Sequence, residues 1–550
     1  MSDMAEHRRT RRVDGWSLGA IFVAFLVLLP LFSVAVMALM PSSSDWGHLW
    51  STILPRYLGN SLTLMISVGF CAGAIGTGTA WLVVCREFPG RRFLQYALLA
   101  PMAIPAYIAA YALVDFLEYA GPLQTALRSI FGWETARDYM FPDVRSKWAA
   151  IVVMSLSLYP YVFLFARDAF EVQGANALDV SRSLGCSPLA SFFRISLPMA
   201  RPAIVAGVAI VMMEVLNDFG TVEFFAIQTM TTGIFSLWLE AGDRSGAAEI
   251  ACLMLAIVLV LVLAEKLSRK KRQFHALSKA TRPVGRISGR GAWRWLPTIL
   301  CALPVLLGFV LPVLVLISVA DPTDWGRGDL WEAAWNTLSL GVMAGLVAIT
   351  FAIFLTQATR YSTFKRITQL VPVTTIGYAT PGAVLAIGIL IPFALFDHLL
   401  ADFITFISGT DPGLLLTGSS AAIVFAYVVR FFAIPQGALD SAMARVTPGM
   451  DMAARSLGKS RLGVLRQVHV PMIKGSMGTA MVLLFVDASK ELPATLMLRP
   501  FNFDTLATRV YNYASLEDLE RAAPAALLVT LAGLLPILLL SFARGRSIAK

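Results

Sequence analysis

Charged residues are scarce in this sequence, and their scarcity excludes most classes of soluble protein. Asp, Glu, Lys and Arg make up 15% of the 550 residues, whereas 57% are hydrophobic and the mean hydropathy is +0.69. Soluble domains typically carry about 25% charged residues, and no single soluble core buries so much apolar surface. Apolar runs such as 18–40, 251–264 and 525–542 are long enough to cross a hydrocarbon layer of about 30 Å. We therefore predict an all-α integral membrane protein.

Cysteine and histidine are also few. The five residues of each type are scattered, with no spacing typical of a disulfide framework or a metal site. The apolar runs contain no visible nucleophile beside a base, which argues against a membrane-embedded enzyme. We assign no catalytic residue, no firm metal ligand and no cofactor bound by this chain.

The net charge of +10 follows the loops and does not mark one face of the protein. Lys and Arg precede the first apolar run and follow every second one, for example at Arg91, Arg92, Arg194 and Arg201, whereas the intervening loops carry most of the acids. Cytoplasmic loops retain Lys and Arg during membrane insertion. We therefore predict cytoplasmic termini, an even number of spans, and contact with lipid and not with nucleic acid.

An internal repeat predicts the architecture. The sequence Arg182-Ser-Leu-Gly185 in the first half recurs as Arg455-Ser-Leu-Gly458 in the second. Matching motifs keep the same order along most of each half, and the basic loops have the same parity. The two halves should therefore insert the same way up, as parallel repeats about an axis along the membrane normal.

The predicted halves are 1–267 and 295–550, joined by a basic cytoplasmic linker at 268–294 that lacks a long apolar run. Each half should contain six spans, about twelve in total. The predicted spans are 18–40, 59–84, 95–117, 147–169, 202–219 and 247–266, then 297–319, 335–357, 370–393, 416–436, 475–489 and 524–543.

Between the fourth and fifth spans of each half lies a polar segment with its own pattern, near 175–198 and 448–471. In the first copy Asp179 precedes Gly185 by six residues, and Pro198 follows; in the second, Met452 precedes Gly458 and Pro471 follows in the same register. A short helix that projects from the bilayer could end at the glycine, because glycine adopts left-handed backbone angles at little cost. The proline would then begin the next span, where its missing N–H costs nothing.

These two segments resemble the EAA loop of binding-protein-dependent ABC importer permeases, E-A-A-x3-G-x9-I-x-L-P. The resemblance implies that each segment docks on a separate ATPase and transmits its motion. It carries the coupling role to Asp179, Arg182, Gly185, Pro198, Ala453, Ala454, Arg455, Gly458 and Pro471. Met452 replaces the acidic residue of the pattern, so the second copy lacks the carboxylate at that position. Gly458-Lys459-Ser460 is not a phosphate-binding loop, because Ala453 stands where that motif needs glycine. The resemblance therefore places ATP on two copies of a partner.

The stretches 214–223 and 490–508 make the chain similar to fused, double-length permeases of ferric iron importers of the ferric-binding-protein type. That similarity implies a periplasmic binding protein as a second partner and ferric iron as the solute. Thiamine permeases share the fused plan, and small-anion and polyamine permeases share the loop, so other small solutes stay open. A secondary transporter is a further alternative, but it leaves the paired loops unexplained.

Ionisable groups within spans are expensive, so those in this sequence are candidates for a translocation path. Carboxylates lie on the fifth span of both halves, where hard cations would find oxygen ligands. Two tyrosines and an aspartate in the third span share one helical face at i, i+4 and i+8. The candidates are Glu214, Asp218, Asp487, Glu491, Tyr107, Tyr111 and Asp115. Solvated span ends, an ion pair with Lys490 and interfacial anchoring are the structural alternatives.

Overall fold

The computed structural model describes residues 14–40, 47, 49–183, 187–270, 286–288, 291–362 and 364–548. The chain is all-α, with one two-residue parallel strand pair, β1 (Arg86–Glu87) and β2 (Ile287–Ser288). This pair joins part of the predicted linker to the end of the second span. Most of the linker lies outside the described residues.

The α-helices of five or more residues are numbered here in chain order. The first ten are α1 Gly15–Met37, α2 Leu54–Cys85, α3 Arg91–Ala97, α4 Ala106–Leu117, α5 Pro122–Phe131, α6 Lys147–Ser183, α7 Leu197–Asn217, α8 Gly220–Phe224, α9 Met230–Phe235 and α10 Arg244–Lys270. The others are α11 Leu296–Val305, α12 Leu311–Val319, α13 Gly328–Tyr361, α14 Gly382–Ser408, α15 Ser420–Phe431, α16 Ala433–Met443, α17 Pro448–Ser456, α18 Val470–Ser489, α19 Pro493–Leu498, α20 Leu506–Ser515 and α21 Leu519–Ile548.

The number of spans agrees with the prediction. Within the described residues, ten helical segments are long and apolar enough to cross a membrane, and two bent pairs bring the total to as many as twelve. One bent pair, 91–103 with 106–131, turns by 94°, where a continuous span at 95–117 was predicted. The other, α15 with α16, turns by 48°.

Proline explains where two spans depart from their predicted bounds. Pro105 is the N-cap of α4, and Ile104 before it is extended, so no helix continues through this position. Pro381 is likewise the N-cap of α14. The ninth span therefore begins at Gly382, and the predicted start at residue 370 is wrong.

Four prolines follow a π-helical turn. The turns are 49–53, 192–196, 306–310 and 465–469, and the prolines are Pro55, Pro198, Pro312 and Pro471. A proline inside a helix lacks an N–H and clashes with the carbonyl four residues back, and a wider turn moves that carbonyl away. Pro198 and Pro471 thus lie within continuous helical segments, 189–217 and 461–489. Each proline lies in the first turn of its α-helix, as expected, but the helix continues from the preceding π-turn without a break.

The same hydrogen bonds occur at matching positions in both halves. The amide of Asn60 donates to the carbonyl of Gln228 over 2.7 Å, and that of Asn336 donates to the carbonyl of Asp504 over 2.9 Å. The next residues, Ser61 and Thr337, both accept a backbone N–H with their hydroxyls, from Met230 and Leu506. Each residue of the first half and its counterpart in the second differ in number by the same amount as Pro105 and Pro381.

The chain divides into two compact units that differ from the sequence halves. The first unit contains α1 and the helices between residues 331 and 508. Its core joins Val27 of α1, Leu385 of α14 and Val429 of α15. Gly388 of α14 lies directly against the backbone of Pro30, so a side chain there would displace α1.

The second unit contains residues 42–330 and 509–550. Here α2 packs on α6 at Gly76, where a Cβ would approach the carbonyl oxygen of Tyr159 to 2.7 Å. Gly308, in the π-turn between α11 and α12, similarly lies against the backbone of Leu156. Each sequence half therefore has its first helix packed among helices of the other half, and the division into repeats at 1–267 and 295–550 stays a prediction about the sequence.

Candidate functional site

The second polar segment forms a short helix with a glycine stop. Helix α17 begins after Thr447 with Pro448 in its first turn, and Leu457 is its C-cap. Gly458 follows with φ +79°; its N–H donates to the carbonyl of Arg455 over 3.0 Å, and the N–H of Lys459 donates to that of Ala454 over 3.2 Å. This pair of bonds is the Schellman motif, which requires a left-handed residue at the position of Gly458. The predicted role of Gly458 as a helix stop is therefore confirmed.

Helix α17 and the turn after it expose apolar side chains. Met452 and Leu457 are 66% and 79% exposed, and Met450 and Leu462 are also exposed. The predicted coupling residues Ala453, Ala454 and Arg455 lie on the same helix, with Ala454 buried. Methionine and leucine side chains adapt to an apolar groove, so this surface suits the docking of another protein.

The opposite face of α17 is held by a buried carboxylate that the sequence reading missed. Asp451 accepts hydrogen bonds from Arg360 Nε over 2.7 Å and from the Tyr361 hydroxyl over 3.3 Å, and its other oxygen lies 2.8 Å from His469 Nε2. Burial raises the pKa of Asp451, but the hydrogen bonds with His469 and Arg360 outweigh it and hold the pKa below its ordinary value. The carboxylate of Asp451, next to Met452, is therefore bonded to side chains of this same chain.

The first polar segment is described only in part. Helix α6 continues to Ser183, and Pro198 lies in the first turn of α7. The side chains of Asp179 and Arg182, and Gly185 as a whole, lie outside the described residues. Their coupling roles stay predictions.

In the second compact unit, Tyr111, one of the two predicted path tyrosines, lies near Asp218. The rings of Tyr107 and Tyr111 are 5.9 Å apart, and Tyr111 lies within electrostatic range of Asp218 and Glu223. Asp218 accepts the N–H groups of Thr221 and Val222 over 2.9 and 3.2 Å and the hydroxyl of Thr221 over 2.8 Å. It therefore caps the N-terminus of α8. Glu214 lies one helical turn earlier, on α7.

Asp115 lines a cavity of about 140 Å³ in the same unit. Three carboxylates, Asp115, Glu118 and Glu517, share this cavity with Tyr111 and one guanidinium, Arg145. Arg145 donates to Glu118 and to Glu517 over 2.7 Å each. The cavity therefore carries two formal negative charges more than positive ones. Glu118, Arg145 and Glu517 were not predicted, because nothing in the sequence shows that residues 118–145 and 517 meet.

In the first compact unit, Glu491 forms a buried ion pair. It accepts from Arg430 Nη1 over 3.1 Å and from the backbone N–H of Ala494 over 3.0 Å. Arg430 is 8% exposed and Glu491 is 5% exposed, so water does little to screen the pair. Gly382 leaves room for the two side chains, since a Cβ there would collide with both. Sequence reading named Lys490 as the neutralising residue and missed Arg430, although a guanidinium within a predicted span was itself a signal.

Asp487 lies on α18, within electrostatic range of Lys490, Arg430 and Glu491. Asp218 and Glu491 belong to different compact units. Among the described residues, no group of three or more His, Cys, Asp or Glu is arranged to hold a metal ion.

Comparison with known proteins adds the family. Residues 69–273 match the model of the binding-protein-dependent transport system inner membrane component. An Fe(3+)-transport system permease protein of Haemophilus influenzae is 26% identical over 494 residues, 88% of this chain and 90% of the relative. A probable ABC transporter permease of Sinorhizobium fredii is 23% identical over 96% of this chain and 95% of its own length. A sulfate transport system permease of Salmonella typhimurium is 28% identical over 258 residues, 45% of this chain and 88% of the relative.

The Fe(3+)-transport permease and the Sinorhizobium fredii permease match most of this chain, whereas the sulfate permease matches 45% of it. The family model covers α6 and the first polar segment, and α17 has the geometry expected of the second. The alternative of a secondary transporter is set aside. Residues 69–273 are thus a permease domain of the binding-protein-dependent transport systems, in a multi-pass membrane chain that is similar to an Fe(3+)-transport permease over 88% of its length.

Proposed function

We propose that this permease moves ferric iron across the bacterial inner membrane, after delivery by a periplasmic binding protein. The observation that carries the proposal is the match to the Fe(3+)-transport permease, which extends over 88% of this chain and 90% of the relative. The sulfate permease covers only 45% of the chain. ATP would be hydrolysed by two copies of a separate ATPase, one on each polar segment.

The charge of the cavity in the second unit supports a cationic solute. Asp115, Glu118 and Glu517 outnumber Arg145, so an anion that approaches the cavity is repelled and a cation is attracted. Each pair of unit charges about 8 Å apart contributes roughly 2 kcal/mol at an effective dielectric constant of about 20. Carboxylate oxygens are also the ligands that hard cations prefer.

The orientation follows from the distribution of Lys and Arg. The basic loops favour cytoplasmic termini and cytoplasmic polar segments, with the cavity residues 115–118, 145 and 517 on the periplasmic side. Labelling of a single cysteine at position 278 in intact cells tests this. Reaction with an impermeant reagent added outside would contradict it.

The test of function is uptake by cells that lack the chromosomal copy and carry the gene on a plasmid. We expect accumulation of radiolabelled ferric iron that depends on the ATPase and is lost in Gly458→Val. Sulfate is the second candidate, favoured by the sulfate permease relative, and thiamine the third. Uptake of sulfate or thiamine without ferric iron would refute the iron assignment and leave the permease assignment intact.

A further inference from the structure

The turn that enters α17 is tied to the end of α13 by one guanidinium. Arg360 donates through Nη1 to the carbonyl of Val446 over 3.1 Å and through Nη2 to that of Thr447 over 3.3 Å. Its Nε donates to Asp451 over 2.7 Å. The start and the first turn of α17 are therefore both bonded to a single side chain of α13.

The same carboxylate is bonded to the π-turn that precedes α18. His469 is the last residue of that turn, two residues before Pro471, and it is fully buried. Its Nδ1 lies 3.0 Å from the amide nitrogen of Gln357, and its Nε2 lies 2.8 Å from Asp451. Since the amide nitrogen can only donate, Nδ1 accepts and Nε2 carries the proton that is donated to Asp451. Gln357 thus sets the tautomer that the carboxylate needs.

We propose that Asp451 is a positioning residue that links movement of α17 to the π-turn at 465–469, and through it to α18. The inference rests on the proposed docking of an ATPase on α17. A buried carboxylate with charge-assisted bonds on two sides cannot slide past its partners without leaving a charge unpaired. A π-turn is a place where a helix can change its hydrogen-bond register at small cost. Displacement of α17 would therefore be passed to the turn through His469.

The pair of Asp451 and His469 has no sequence counterpart in the first half. In the register that aligns Gly185 with Gly458, the positions of Asp451 and His469 hold Leu178 and Ser196, which cannot form a carboxylate–imidazole pair. The two halves are thus expected to respond differently to the same ATPase movement. Loss of this pair should weaken coupling even when the first segment is intact.

The experiment compares solute uptake with ATP hydrolysis in proteoliposomes that contain the whole transporter and its binding protein. In Asp451→Asn, we expect the solute moved per ATP to fall on the order of tenfold, the factor associated with loss of a charge-assisted hydrogen bond. The ATPase subunits should still co-purify, and ATP hydrolysis should continue. Gln357→Leu keeps every charge and removes the amide that sets the tautomer, so a smaller fall in the same ratio is expected.

The matched control is Asp440→Asn. Asp440 on α16 also bonds to α13, accepting from Thr356 over 3.2 Å, and it accepts from Gln436 on its own helix over 2.9 Å. Its ratio of uptake to hydrolysis should stay at the wild-type value. An unchanged ratio in Asp451→Asn would overturn the proposal, as would loss of the ATPase from both Asp451→Asn and Gln357→Leu, which would show a purely structural role. Absence of ATP-driven uptake in the wild type would instead refute the proposed function.

Discussion

Substitution of Gly458 isolates the contribution of backbone conformation to coupling. The residue has φ +79°, and a Cβ built on it would meet no atom within 4 Å. Any effect of a small side chain there is therefore conformational and not steric. The left-handed region costs an L-residue roughly 1–2 kcal/mol, less for asparagine and more for a β-branched residue.

A graded series follows from this reasoning. Gly458→Asn should retain most uptake, Gly458→Ala should lose about 1 kcal/mol of the free energy that holds the Schellman turn, and Gly458→Val should lose more. Since about 1.4 kcal/mol changes an equilibrium tenfold, the valine variant should populate the closed turn at least about tenfold less than the wild type. Its membrane level should be unchanged.

The assay is ATP-dependent uptake normalised to the amount of chain in the membrane. The order glycine, asparagine, alanine, valine is the expected result. Equal uptake by the valine variant and the wild type would refute a coupling role for the turn. Equal loss in the asparagine and valine variants would refute the conformational explanation and indicate a side-chain clash with a partner.

Three further predictions concern the charged groups. Glu491→Gln should lower the thermal stability of the purified chain, because an uncompensated Arg430 costs about 3–5 kcal/mol, and the double variant with Arg430→Met should recover most of the loss. Asp218→Asn keeps a side chain that caps helices well, so stability should change little; a fall in iron uptake would show that its charge serves the path, and unchanged uptake would show a purely structural cap. The pKa of Asp451 is lowered, so the stabilisation by its carboxylate is fully present above the ordinary pKa of about 4 and is lost as pH falls through the lowered pKa. The ratio of uptake to hydrolysis should therefore be constant between about pH 5 and 8. A change of that ratio within this range would contradict the role proposed for Asp451.

Features that depend on neighbouring residues in the sequence were predicted correctly. The span count followed from hydropathy, because an apolar helix crosses a bilayer whatever its neighbours are. The stop at Gly458 followed from the backbone preference of glycine alone. The bend at Pro105 was missed, because the apolar run continues past this proline.

The partners of buried charges were not predictable in the same way. Arg430 and Glu491 are 61 residues apart, and Asp451 and His469 are 18 apart, with no sequence pattern that pairs them. Burial forces each charge to find a partner, but which partner is near depends on how the helices pack. Glu491 illustrates this limit, since its guanidinium partner Arg430 lies on a different helix, α15.

By itself the sequence determined the membrane class, the number of spans, the internal repeat and the position of the two polar segments, because each depends on the composition or order of nearby residues. Tertiary structure alone decided that α1 packs with α14, that Pro471 lies inside a continuous helix, and that Glu118, Arg145 and Glu517 share one cavity. The physical reason is that helices in a membrane are all apolar on their surfaces, so hydropathy does not distinguish one neighbour from another. Close contacts at small residues such as Gly388, together with the pairing of buried charges, make that choice.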